Sequence, residues 1–119
     1  MADRVVYAGR VRTVEWAVRR DKKIPGQKGW NRLNKEERTR LLARIKRIGD
    51  EEKVYNQEVF KKERGDIFAI KIFKVRIYCF FTSDNRLVLT HVVKKKRDKA
   101  DPKELKRAEH IRRECINEE

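Results

Sequence analysis

Residues 66 to 96 constrain the fold more than any other part of the chain. Three apolar, β-rich runs follow one another there, Ile67–Ile72, Val75–Phe81 and Leu87–Val93, with short polar breaks between them. The break Ser83-Asp84-Asn85 is turn chemistry, because Asn and Asp tolerate the left-handed backbone region and bond their own main chain. Strands this close in sequence pair as an antiparallel meander. Side chains alternate along a strand, so Phe68, Ile70 and Ile72 are expected in the core with Lys71 pointing away from it. Ile77, Cys79 and Phe81 share one face of the next run, and Arg76, Tyr78 and Phe80 the other. Cations are threaded through the meander at Lys71, Lys74 and Arg76, and Lys94-Lys95-Lys96-Arg97 closes it. A small sheet with cations and a Tyr on an open side is a surface for a polyanion.

The charge balance points the same way. The chain carries 33 Lys+Arg against 19 Asp+Glu, a formal +14. A thermophile-like network of ion pairs needs both signs in comparable number. The surplus instead suggests nucleic acid, a ribosome, an anionic membrane or an acidic protein as partner. With 39% hydrophobic residues, five Phe, three Tyr and two Trp, the 119 residues can fold into one small domain with its own core. Cys79 and Cys115 stand alone, without CxxC or Cys/His spacing, so neither a zinc site nor a disulfide scaffold is expected. No apolar stretch nears the length of a membrane-spanning helix, and no signal peptide opens the chain. A soluble cytoplasmic protein without metal or cofactor is expected.

Outside the meander, Arg4–Ala8 reads as a short edge strand. Thr13 is read as the cap of a short helix carrying Val14, Ala17 and Val18, and Asp21–Trp30, with Pro25, Gly26 and Gly29, as a basic loop. Asn34 followed by Glu37 is a capping-box pattern, and Leu41, Leu42, Ile45 and Ile48 then recur at helical spacing up to a stop at Gly49. Residues 50–65 form a connector, extended or with a turn of helix. Asp101-Pro102-Lys103-Glu104 combines an N-cap, a proline at the first helical position and an early acid. Leu105, Ala108, Ile111 and Cys115 continue it as an apolar stripe. The expected order is β-α-α-β-β-β-α over residues 1–119, a single α+β domain with an antiparallel sheet packed on helices.

That order, with the motifs inside it, resembles the RelE/ParE toxin superfamily, specifically its HigB-like, phage-related branch of type II toxin–antitoxin toxins. The resemblance spans Lys35 to Arg113. It rests on Phe68-Ala69-Ile70-Lys71 and Val75-Arg76-Ile77-Tyr78-Cys79-Phe80-Phe81, on the strand end Leu89-Thr90-His91-Val92-Val93-Lys94-Lys95, and on the closing helix Pro102-Lys103-Glu104-Leu105-Lys106-Arg107-Ala108. It implies a ribosome-dependent mRNA interferase, in which the RNA 2′-hydroxyl attacks the adjacent phosphate without a metal. It also implies three partners: mRNA, the ribosome and a cognate helix-turn-helix antitoxin. Such chemistry needs a base, cations against the phosphorane charge and an acid for the leaving oxygen. Carried over by position, Lys71, Arg76 and Lys95 match basic positions of the family's active site. His91 adjoins them as a candidate acid or base. Lys74, Tyr78, Lys94, Lys96 and Arg97 are the candidate RNA- and ribosome-binding residues. Ala69 replaces a second strand lysine of some relatives, and no tyrosine occurs in the closing helix. Two other readings stay open: a non-catalytic, ParE-like gyrase poison, and a plain RNA-binding module.

Overall fold

The computed structural model describes residues 4–53, 56, 58–95 and 101–117. Its elements in chain order are β1 (Val5–Ala8), β2 (Thr13–Trp16), α1 (Pro25–Asn31), α2 (Lys35–Asp50), β3 (Phe60–Arg64), β4 (Ile67–Ile72), β5 (Val75–Phe81), β6 (Arg86–Lys94) and α3 (Pro102–Asn117). The strands form one sheet in the order β1-β2-β6-β5-β4-β3. Every pairing is antiparallel except β2 with β6, which is parallel.

The β4-β5-β6 meander forms as its alternation predicts. Its second turn is closed by Thr82 N–H donating to Arg86 O at 2.9 Å, with Asn85 in the left-handed region at φ 62°. The capping box of α2 is complete: Glu37 N–H donates to Asn34 Oδ1 at 2.8 Å, and Asn34 N–H to Glu37 Oε1 at 2.9 Å. At α3, Lys103 N–H donates to Asp101 Oδ1 at 2.9 Å, so the three start signals of that helix agree.

Two local expectations are corrected. Thr13–Trp16 is a strand, because the exposed edge of β6 pairs with it in register from Thr13↔Arg86 to Trp16↔Leu89. The pairing sends Val14 and Trp16 to one face and Glu15 to the other, and four residues cannot distinguish that alternation from one helical turn. Pro25–Asn31 is helical rather than a loop, with proline in its first turn. Its glycines serve close approach: a Cβ on Gly26 would lie 2.2 Å from the Trp16 ring, and one on Gly29 2.4 Å from Val92 O. Of the two readings open for the connector, the extended one holds: it carries a strand, β3, which pairs with β4 from Phe60↔Ile70 to Arg64↔Ile67. Gly49 lies within α2, one residue before its end, and the Tyr7 ring closes over it.

Helices cover both faces of the sheet. On one, Leu41, Ile45 and Ile48 of α2 pack with Val14, Trp16, Ile70, Ile72, Val75, Ile77, Cys79, Leu87 and Leu89. On the other, Leu105, Ala108 and Ile111 of α3 pack with Ala17, Ile67, Ala69, Tyr78, Phe80 and Val88. The open side expected for Tyr78 is therefore occupied. An α3 stripe that apolar needs a sheet face to bury against, and each large aliphatic side chain so buried contributes about 1.5–3 kcal/mol.

Candidate nucleic-acid interface

The β4–β5 hairpin organises the cations. Ile72 pairs with Val75, so only Phe73 and Lys74 make the turn, and Lys71 sits directly opposite Arg76. By alternation both project to the α3 side, one step along the strands from the Ala69↔Tyr78↔His91 row. Arg76 is 6% exposed, and its Nη1 donates to Phe73 O and Val75 O, each at 2.9 Å. Lys71 is half-buried. Lys95 N–H donates to Lys74 O at 2.7 Å, which brings the end of β6 to the same hairpin. Lys94 Nζ turns to Glu37 of α2 at 3.1 Å. Lys96 and Arg97 lie outside the described residues.

Helix α2 adds two arginines to the hairpin. Arg44 donates from Nη1 to Lys71 O, and the Arg40 guanidinium lies over the Phe73 ring, 5.1 Å from its centroid. Burial lowers the Arg44 pKa, and the nearby Arg40 charge lowers it further. The signal in the sequence was the i, i+4 spacing of Arg40 and Arg44, which puts both on one side of the helix. Phe73 itself carried no signal. It is 64% exposed and holds φ +48°.

Two proposed site residues lie in the interior. His91 is 1% exposed, with Nε2 2.7 Å from Glu104 Oε2 of α3 and Nδ1 3.0 Å from Thr90 Oγ1. Its ring stacks on Tyr78 at 5.2 Å between centroids. Burial, with the Arg107 charge behind it, lowers the His91 pKa to about 4, against the opposing pull of Glu104. His91 is thus a neutral imidazole near pH 7 that fastens β6 to α3. Tyr78 is 1% exposed, and burial, reinforced by Glu63 and Glu104, pushes its phenol up to about 12. Neither side chain offers a surface to a nucleotide, because α3 lies over both. The basic residues at the hairpin are Lys71, Lys74, Arg76 and Lys95, with Arg40 and Arg44 beside them.

Among the described residues, no group of three or more His, Cys, Asp or Glu side chains gathers in a way that could hold a metal ion. Among the same residues, no helix is long and apolar enough to cross a membrane.

A six-stranded, mostly antiparallel sheet with three helices and a basic hairpin is compatible with a RelE-like toxin fold. The family described as Phage derived protein Gp49-like (DUF891) matches residues 28–113, well over half of the chain, and the protein belongs to it. This is a RelE/toxin-like family of toxin–antitoxin-type toxins, and membership implies an antitoxin partner. The match takes in the capping box, the meander, the hairpin and most of α3, whereas β1 and β2 precede it. No curated protein matches the chain.

Proposed function

We propose that this toxin belongs to the HigB-like branch and stops translation by cutting mRNA on the ribosome. The observation that carries the reading is the cross-strand pair Lys71–Arg76, with Lys95 joined to the same hairpin through Lys74. In the proposed reaction the RNA 2′-oxygen loses its proton and attacks the adjacent phosphorus. The bond from phosphorus to the 5′-oxygen breaks, leaving a 2′,3′-cyclic phosphate, and that oxygen takes up a proton. Charge accumulates on the phosphorane oxygens, where fixed cations act most strongly. Arg76 is the fixed charge, since two backbone carbonyls hold Nη1. Lys71 and Lys95 are assigned to the two proton transfers, one as the amine that takes the 2′-hydroxyl proton and the other as the ammonium that gives a proton to the 5′-oxygen, with mRNA and the ribosome as partners. Lys74 is assigned to the RNA backbone, and Lys94, paired with Glu37 at the edge of the hairpin, would reach it only by leaving that partner. His91 and Tyr78 support α3 and have no direct role.

Primer extension on a reporter message during induced expression tests the reading. Cuts that require translating ribosomes and disappear with Lys71→Ala are expected. Growth arrest with an intact message would overturn it and move the assignment to a gyrase poison. An intact message with normal growth would leave a binding module.

A further inference from the structure

The Phe73 side chain stands where a chain under ordinary selection for stability places glycine. A two-residue hairpin in which the first central residue has positive φ and the second does not is of the type II′ kind, and glycine is preferred there because a Cβ crowds the backbone. At φ +48° a bulky residue is an outlier, and such outliers concentrate at functional sites. Packing does not account for it, since the ring is 64% exposed. A cation lies against it, the Arg40 guanidinium 5.1 Å from the centroid. The Phe73 carbonyl accepts from Arg76, Lys74 is the other residue of the turn, and Lys71 stands on β4 just before it.

An exposed aromatic ring with a guanidinium against it, on a hairpin that also carries lysines, fits single-stranded nucleic acid. A base stacks on the ring while phosphates on either side meet the cations, and stacking tolerates any base because each has a π-face. A duplex cannot use such a ring without unstacking a base of its own. A protein anchor of this size is ordinarily set in an apolar patch, and the neighbours here are charged.

We propose that Phe73 is a base-stacking platform, taking one unpaired base of single-stranded RNA at the tip of the β4–β5 hairpin while the surrounding cations hold the flanking phosphates. The proposal deepens the RNA-cutting reading and rests on it. It also gives the strained turn a purpose: a short hairpin presents the ring rigidly, with little side-chain freedom to lose on binding.

The test is fluorescence anisotropy with the full chain and a fluorescein-labelled single-stranded RNA dodecamer over a range of salt. Phe73→Gly relieves the backbone, so its Tm is expected at or above that of the unaltered protein, while RNA affinity falls roughly 5- to 150-fold, the value of one stacked base. The salt slope is expected to stay the same, because no charge is lost, whereas Lys71→Ala lowers it by about 0.7. Phe73→Trp restores binding. Affinity of Phe73→Gly equal to that of the unaltered protein overturns the proposal, and so does an equal loss with Phe73→Trp. If Phe73→Gly binds and cuts normally, stacking falls and the RNA-cutting reading stands. If the unaltered protein neither binds RNA nor cuts a message, both fall. Loss of antitoxin binding alone in Phe73→Gly would assign the ring to that partner instead.

Discussion

The His91 imidazole and the Glu104 carboxylate meet between the last strand and the closing helix, Nε2 to Oε2 at 2.7 Å, beneath the surface. Neutral His91 donates from Nε2, and Nδ1 then accepts from the Thr90 hydroxyl, which lies 3.0 Å from both Nδ1 and Tyr78 O and can serve one of them at a time. Protonation turns Nδ1 into a donor to Thr90 and frees the hydroxyl for Tyr78 O, so the imidazolium would not lack partners. What opposes it is burial, with Arg107 behind it.

The first prediction concerns pH. An unfolded histidine titrates near 6.5, whereas His91 in the folded protein titrates near 4. Between those values the unfolded chain binds a proton that the folded one does not. Stability from this group is fully present above pH ~6.5 and is lost as pH falls toward 4, on the order of 1–3 kcal/mol in all. The carboxylates of Glu37, Asp50, Asp84 and Glu114, held low by hydrogen bonds, lose their contributions only at more acidic pH. Urea midpoints of the purified protein at pH 7 and pH 5 should therefore differ, with the lower midpoint at pH 5. His91→Gln should remove most of that difference.

A second prediction separates the two aromatic residues of the hairpin region. Tyr78 is packed under α3 with Ala69, Phe80 and Leu105, so Tyr78→Ala should cost about 3–5 kcal/mol, as for other large aromatics in cores. Tyr78→Phe should leave growth arrest and RNA binding unchanged. Toxicity lost in Tyr78→Phe with a normal thermal melt would make the phenol a participant.

How far the sequence could be read follows from the range of the interactions involved. The meander, the Asn34–Glu37 box and the Asp101-Pro102-Glu104 start are local patterns, decided by residues a few positions apart. Strand β2 is not, because it forms on the edge of β6, whose residues lie far along the chain, and Thr13-Val14-Glu15-Trp16 by itself fits either period. Alternation put Arg76, Tyr78 and Phe80 on one face, but only the docking of α3 decided that the face was covered. The Leu105–Ala108–Ile111 stripe was visible; its target was not. At the interface, Lys71 and Arg76 could be paired from strand register. Arg40, Arg44 and Phe73 could not, because they join through the packing of α2 on the hairpin and through a turn without glycine or asparagine.

Arg12 supplies a third prediction, on stability alone. Its guanidinium closes the C-terminal end of α2, donating from Nη1 to Ile48 O and to Glu51 O at 2.9 Å, and from Nη2 to Glu52 O at 3.0 Å. Helix ends leave carbonyls without helical partners, and a cation there also meets the negative end of the dipole. Arg12→Ala should cost on the order of 2 kcal/mol and lower Tm by several degrees in calorimetry. Arg12 sits on the side of the molecule with Phe81 and Asn85, away from the hairpin turn, so RNA affinity should change only by the weak effect of one distant charge. A loss as large as that of Lys71→Ala would extend the interface to this end.

The last prediction asks whether charge alone suffices at position 76. Both carbonyls that accept from Arg76 Nη1, those of Phe73 and Val75, belong to the hairpin itself, so the guanidinium is held by the backbone around it. Lysine would keep the charge but has no planar fork, and its ammonium would have to choose between the two carbonyls and a phosphate. Arg76→Lys should therefore leave the circular dichroism spectrum and the salt slope of RNA binding intact while slowing message cleavage by roughly 10²–10³, the usual cost of a donor aimed at developing charge. Arg76→Ala removes charge and fork together, and should lower the salt slope as well. Wild-type cleavage by Arg76→Lys would mean that position 76 contributes a diffuse field, and the oriented contact would then have to come from Lys71 or Lys95.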